Sequence, residues 1–287
     1  MQYADPEAIL PPSFRVVLAE GPIPAALDRR TSYSLTPVTW RNSRVSVIFP
    51  TYNEKDSIHD AILDVAATGV VDEILVINNN AAPGTSDEVA RAAGAVMPGL
   101  VREVFESKQG YGNAIQCGFR EATGDFMVVS EPDGTFLGRD VFKLLAYVDD
   151  FDVVYGSRTA RMFIWHGANM GAFLRWGNWA VAKLMEFLFN TTNLTDVGCT
   201  MRLIRREALQ RIQPSFTVGG SAFGPEMMLL TLLAQQRIIQ IPVNYLPRVG
   251  ESSVTGDFMV AFDLGMRMIG MVLRYRLRTW LQPRSQA

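Results

Sequence analysis

Several ordinary features are scarce in this sequence. Cys117 and Cys199 are the only two cysteines among 287 residues. They lie far apart and in no CxxC spacing, which excludes a disulfide framework and points to a reducing compartment. Histidine is as scarce, and a zinc site built from His59 and His166 is not expected. Charge of one sign is missing too: 27 Lys and Arg oppose 29 Asp and Glu, a formal net charge of −2. No global field recruits nucleic acid, and none is expected as a partner. No stretch reaches the ~18 uninterrupted apolar residues of a membrane span. The opening "MQYADPEAILPPSF" carries early acids and prolines and no apolar h-region, so it does not read as a secretory signal. The chain is expected to be soluble or to lie on a membrane surface.

What is present is an alternation of strand and helix signals. Hydrophobic residues make up 48% of the chain, enough to bury a core. Residues 1–44 are rich in proline and polar residues and read as an extension wrapping the domain. From Val45 the pattern changes. "RVSVIFP" is a β-branched run ended by Pro50, a strand. "DSIHDAILDVAATG" has helical spacing and stops at Gly69. "VDEILVIN", "VREVFES", "DFMVVSEP" and "FDVVYGSR" read as further strands, with "TSDEVARAAGA" and "GNAIQCGFREATG" as helices. This alternation predicts an α/β, Rossmann-like fold, a mostly parallel sheet flanked by helices. The domain is expected over residues 45–256, with a C-terminal amphipathic helix and tail over 257–287.

Ligands in such sheets bind at the carboxyl ends of strands. Polar clusters stand at those ends: "PTYNE", "NNN", "SKQGYG", "EPDG" and "GSR". Five in register imply one composite cleft. In "VVSEPDGTF" an apolar run ends in two acids, Glu131 and Asp133. An extended backbone puts both on one side, and Pro132 favours that geometry at Glu131. Two close carboxylates repel unless a cation or proton lies between them. Hard oxygen ligands suit Mg²⁺ or Mn²⁺. The plainer reading of an isolated acid-Pro-Asp-Gly is a solvated turn.

The ordered set "VIFPTYNE", an Asn-rich second strand end, "KQGYGNA", "EPDG" and "YGSR" resembles the family 2 glycosyltransferases of GT-A fold. The likeness is to the dolichyl-phosphate mannose synthase-like, polyprenyl-phosphate branch, from about Val45 to about Val254. The resemblance implies that Pro50, Tyr52 and Glu54 hold the base and ribose of a nucleotide. It places Asn78 and Asn79 at the base, and Lys108, Gly110 and Gly112 near the nucleotide. Glu131 and Asp133 would bind metal and diphosphate, with Asp133 the main ligand and Glu131 acting through water. Three departures from the family pattern stand out. Glu131 replaces the first acid of a DxD pair, "NNNAAPGT" replaces an acidic loop, and Ser253 in "GESS" replaces a lysine.

The later half carries the acceptor features. In "NMGAFLRWGNWAVAKLMEFLFN", Arg175, Asn178, Lys183, Glu186 and Asn190 share one face of a helix. The rest is apolar, which means deep burial or contact with lipid. "DVGCTMRLIRREAL" resembles a family segment through Asp196, Gly198 and Arg202. "FGPEMMLL" resembles the family segment carrying an acid near the acceptor, which would place Glu226 there, and "IPVNYLPRVGESS" resembles the closing strand and flexible loop, with Arg248 on it. At the C-terminus, Asp263, Arg267, Arg274 and Arg278 form a narrow stripe on an apolar rod. That suits an interfacial helix on anionic lipid, or a helix docked on its own domain or on a second subunit, as in a homo-oligomer.

The resemblance therefore implies a metal-dependent, inverting glycosyltransferase. A sugar would move from a nucleoside diphosphate sugar to a polyprenyl phosphate or related lipid acceptor, at the inner face of the membrane in the cytoplasm. A lipid phosphate is already ionised, so it needs alignment and not a general base. Arg158 and Arg175 are the leading phosphate clamps by resemblance, with Arg202 and Arg248 next. For a sugar hydroxyl on a glycan acceptor a base is required, and Asp196 or Glu226 would supply it. A catalytically weak nucleotide-sugar-binding subunit would keep the same fold. A nucleotidyltransferase is disfavoured because "PTYNE" stands where its Gly-rich phosphate loop belongs.

Overall fold

The computed structural model describes residues 39–168, 170–191, 194–250 and 258–281. Its first strand, β1 (Val45–Thr51), is buried along its whole length. It leads through α1 (Lys55–Ala66) to β2 (Glu73–Asn78), then through α2 (Thr85–Ala95) to β3 (Val101–Phe105). α3 (Tyr111–Glu121) crosses back to β4 (Phe126–Val129), and α4 (Asp140–Leu145) precedes β5 (Val153–Ser157). The long α5 (Ala172–Phe189) is followed by β6 (Arg202–Arg205), α6 (Arg206–Ile212), α7 (Phe223–Leu233), β7 (Ile238–Pro242) and α8 (Phe258–Leu281).

The strands form one seven-stranded sheet in the order β3-β2-β1-β4-β6-β5-β7. β1 pairs in parallel with β2 and β4, β2 with β3, and β5 with β7. Only β6, among the described strands, runs antiparallel, against both β4 and β5. The sheet is thus mostly parallel, as the strand–helix alternation predicts. Neither β6 nor α4 is assigned from the sequence. β6 is four residues, "RLIR", too short and too charged at its ends to show a period. β7 also lies a few residues before the run "IPVNYLP" expected to close the sheet, because Pro242 has no N–H to extend the ladder.

Alternation along each strand divides the core into two layers. Ile48, Leu75, Ile77, Met127 and Val129 face the side covered by α3, α5, α7 and α8. Val47, Phe49, Ile74, Val76 and Val128 face α1, α2 and α4. α1 buries Ile58, Ile62 and Val65, a spacing that keeps one helical face on the sheet. α3 approaches so closely that a Cβ on Gly118 would lie 2.4 Å from Ile48 Cγ2. Gly118→Ala is therefore expected to cost about 1–3 kcal/mol through overpacking. Gly→Ala in an open helix gains about 0.5–1 kcal/mol, so the sign of the change in a urea titration is diagnostic. A variant as stable as the parent would mean that this contact is loose.

The chain runs outward from β1 to β3 and then returns to β4 on the other side of β1. The order of the strands reverses there, and such a switch point leaves a crevice at the carboxyl ends. α8 docks beside it. Met268, Met271 and Val272 join the core, and Tyr275 Oη donates to Glu226 at 2.9 Å. The opposite face of α8 is exposed and mixed, with Leu273, Leu277 and Leu281 in solvent beside Arg267, Arg274 and Arg278. Of the two settings expected for this helix, one face adopts the docked one. Asp263 and Arg267 pair at 2.6 Å, as their i,i+4 spacing predicts.

Candidate functional site

A cavity of about 590 Å³ opens at the strand ends. All five polar clusters reach it: Pro50, Tyr52 and Glu54 after β1, Asn79 after β2, Gln109 and Tyr111 after β3, Glu131 after β4, and Arg158 after β5. Arg202 and Arg248 complete its polar wall. Asn78, Lys108, Gly110, Gly112, Asp133, Arg175, Asp196 and Glu226 stand behind or outside this lining.

The acid pair is held from several sides. Ser57 Oγ, at the start of α1, donates to Pro132 O at 2.7 Å and fixes the turn. Asp133 is buried, and its Oδ1 accepts from Thr135 N at 2.9 Å and Thr135 Oγ1 at 2.5 Å. Its Oδ2 is buried with no hydrogen-bond partner. Arg248 Nη1 lies 2.9 Å from that oxygen but off the hydrogen-bonding direction, so the contact is an ion pair only. The same guanidinium reaches Glu54 Oε1 at 2.9 Å and Glu131 Oε2 at 3.8 Å. Backbone bonds from Leu246 N to Thr135 O and Val249 N to Asp133 O, each 2.9 Å, seat Arg248 beside the acids. Glu54 Oε2 accepts from Tyr52 N and Asn53 N, at 2.7 and 2.9 Å, which shapes the loop after β1. Burial first, then the charge of Asp133, pushes the Glu131 carboxyl above its ordinary range, against the pull of Arg248.

Three carboxylates around one guanidinium are a place built for positive charge. Among the described residues, no three His, Cys, Asp or Glu side chains could hold a metal ion by themselves. Asp133 and Glu131 instead offer two hard oxygens, with Arg248 as a stand-in cation. That donor set fits Mg²⁺ or Mn²⁺, which commonly takes one or two carboxylates and completes its shell with phosphate oxygens and water.

Asn79 is committed to the protein. Its Nδ2 donates to Glu106 O and Lys108 O at 2.8 and 2.9 Å, and its Oδ1 accepts from Gly110 N at 2.8 Å. It thereby ties the end of β2 to the loop before α3. Asn78 Nδ2 donates to Glu103 Oε1 at 2.8 Å, away from the cavity. Gly110 has φ 139°, and a Cβ there would lie 2.4 Å from Gly219 O. A Cβ on Gly112 would lie 2.6 Å from Val218 O. Close passage of the 218–219 backbone thus gives both glycines a packing reason.

On the other wall, Arg158 and Asp196 form a buried pair. Asp196 Oδ2 accepts from Arg158 N and Nε, both at 2.9 Å, and Oδ1 from Arg158 Nη2 at 3.1 Å and Gly198 N at 3.0 Å. Burial alone would raise the Asp196 carboxyl, but the Arg158 charge and these donors hold it below the ordinary range. Arg202 is different. It is buried and bonds only to carbonyls and a thioether: Thr200 O, Cys199 O, Gly224 O and Met227 Sδ. No carboxylate among the described residues pairs with it; its guanidinium lies 5.8 Å from the centre of the Tyr155 ring, and the residue lines the cavity. Glu226 is buried and accepts from Thr217 N, Thr217 Oγ1, Val218 N and Tyr275 Oη. Arg175 lies on α5, one residue from Leu174, which does line the cavity. Ser253 lies outside the described residues.

Beyond the arginines the cavity turns apolar. Leu174, Val181 and Leu184 of α5 face Leu264, Met268 and Ile269 of α8. Tyr111 and Thr200 are among the lining residues not expected from the sequence. Tyr111 sits inside the "KQGYGNA" segment, whose pattern is carried by its glycines. Thr200 carries no pattern of its own and is found only by its place.

Comparison with known proteins agrees with this geometry. The profile "Glycosyl transferase family 2" matches residues 46–213. A "Dolichyl-phosphate hexose transferase" of Haloferax volcanii is 28% identical over 237 residues, covering 82% of this chain and 96% of that protein. An "Undecaprenyl-phosphate mannosyltransferase" of Micrococcus luteus is 27% identical over 240 residues, covering 81% and 96%. In the fold, the chain is similar to glucosyl-3-phosphoglycerate synthase of Mycobacterium tuberculosis, solved in complex with Mn²⁺, UDP and phosphoglyceric acid. The TM-score is 0.62 at 16% identity, over 85% of this chain and 81% of that one. A second structure of that enzyme, with Mg²⁺ and UDP, gives 0.60 at 14%, over 93% and 86%. The chain is a glycosyltransferase with the GT-A architecture and belongs to glycosyl transferase family 2.

Proposed function

We propose that this enzyme transfers a sugar from a nucleoside diphosphate sugar to the phosphate of a polyprenyl lipid, with inversion at the anomeric carbon. One observation carries the reading: a single cavity runs from the acid at the end of β4, past Arg202, which no described carboxylate pairs, to an apolar wall between α5 and α8. A lipid phosphate has that same sequence of charge and apolar chain. The two relatives, a dolichyl-phosphate hexose transferase and an undecaprenyl-phosphate mannosyltransferase, support it.

The donor diphosphate lies at Glu131 and Asp133, which would hold Mg²⁺ or Mn²⁺. Held there, such an ion would supply charge neutralisation for the departing diphosphate. Arg248 gives up its place among the three acids and turns to phosphate oxygen. Arg202 aligns the acceptor phosphate, and Arg158, fixed by Asp196, borders the same space. An acceptor oxygen attacks the anomeric carbon as the bond to the diphosphate breaks, and the nucleoside diphosphate leaves. No proton needs to be removed. Asp196 and Glu226 have most of their lone pairs engaged by protein donors, which is poor preparation for a general base.

No described helix is long and apolar enough to cross a membrane. The exposed apolar side chains of α5 and α8, with Phe187 83% and Leu281 82% exposed, suit a peripheral seat on the cytoplasmic leaflet. The acceptor test is direct. With one donor and Mn²⁺, polyprenyl phosphate is expected to turn over and a soluble monosaccharide is not. Turnover of the soluble sugar alone would end the lipid-phosphate reading.

A further inference from the structure

Several buried side-chain polar atoms among the described residues lack a hydrogen-bond partner. Four of them, Tyr111 Oη, Asp133 Oδ2, Thr200 Oγ1 and Arg248 Nε, belong to the cavity lining or to the acid turn beneath it. Buried polar atoms are nearly always paired, so such a cluster marks groups that meet a ligand. Asp133 and Arg248 are accounted for by the donor's diphosphate. The two neutral hydroxyls are not.

Tyr111 opens α3, and its ring packs on the core layer beneath α7 and α8. Burial first, then the charge of Glu131, pushes its hydroxyl above the ordinary tyrosine range, so it stays protonated and can donate. Thr200 stands two residues before Arg202, whose Nε donates to Thr200 O at 3.1 Å. Both residues line the same cavity as Glu131 and Arg202, the two ends between which the sugar lies if the diphosphate is at one and the acceptor phosphate at the other. We propose that the hydroxyls of Tyr111 and Thr200 form a subsite that reads the hydroxyls of the transferred sugar. This deepens the sugar-transfer reading above and rests on it. A phosphate presents only acceptors, which arginine meets well. A sugar hydroxyl both donates and accepts, and so does each of these side chains.

Tyr111→Phe keeps the ring on the core, and Thr200→Val keeps the shape; each removes only the unpartnered oxygen. The test titrates GDP-mannose, UDP-glucose, GDP and UDP by calorimetry, with Mn²⁺ present. The wild type is expected to bind at least one sugar nucleotide more tightly than its free diphosphate. The double variant is expected to lose about tenfold on that sugar nucleotide and no more than about twofold on the diphosphate. Melting temperatures should hold or rise, since a buried unpaired group has gone. Equal losses on both ligands, or no loss on either, would overturn the subsite while leaving the transferase reading standing. A wild type that binds no sugar nucleotide would overturn both.

Discussion

Asp133→Asn is expected to abolish metal-dependent binding of a nucleotide sugar and to leave the fold in place. The substitution is nearly isosteric. Asn Oδ1 can still accept from Thr135 N and Oγ1, which define the turn. What changes is the other atom. Oδ2 is the buried acceptor without a hydrogen bond, 2.9 Å from Arg248 Nη1. Replacing it with an NH₂ group removes the hard anionic ligand and aims a donor at a guanidinium. Glu131 alone, 24% exposed, would then face the cation. The expected loss is at least about a hundredfold in the affinity gained from Mn²⁺, or ~2.7 kcal/mol. Calorimetry with and without the ion measures it, and the melting curve checks the fold. Binding that keeps its metal dependence would take Asp133 out of the site.

Asp196→Asn acts on stability instead. The carboxylate is buried and answers a buried arginine through three hydrogen bonds. Neutralising it leaves Arg158 charged and unpaired in the interior, and breaking such a pair costs roughly 3–5 kcal/mol. Urea unfolding should show that fall with an unchanged slope. The pH dependence has a definite sign. The Asp196 carboxyl is depressed in the folded state, from an ordinary value of 3.8. Its contribution is therefore full above that value and lost as the pH falls through the folded one. The wild type should lose more stability than the variant in that acid range. A variant within about 1 kcal/mol of the parent would mean that the pair is hydrated and weak.

Much of the site was legible because its chemistry sits next to strand ends. Pro50, Tyr52, Glu54, Glu131 and Arg158 follow strands whose apolar periods are plain, so one rule about parallel sheets gathers them. Asn79 shows the limit of that rule. It stands at the right end of β2, yet its amide is spent on the backbone of the next loop. A side chain's hydrogen-bond partners come from segments distant in the sequence, and no local pattern announces them.

The same division runs through the whole protein. Short-range order, from apolar periods, caps and the absence of long apolar or highly charged runs, determined the strand–helix alternation, the sheet class and the row of polar clusters. Contacts far apart along the chain decided the rest. β6 enters antiparallel between β4 and β5, which precede it in the chain by different intervals. Arg248 reaches back 194 residues to Glu54. α8 closes over α5 to make an apolar wall from helices whose sequences alone fit several partners equally well. Hydrophobic and Coulombic attractions carry no address. Only the folded chain selects which of many compatible groups end up within reach of one another.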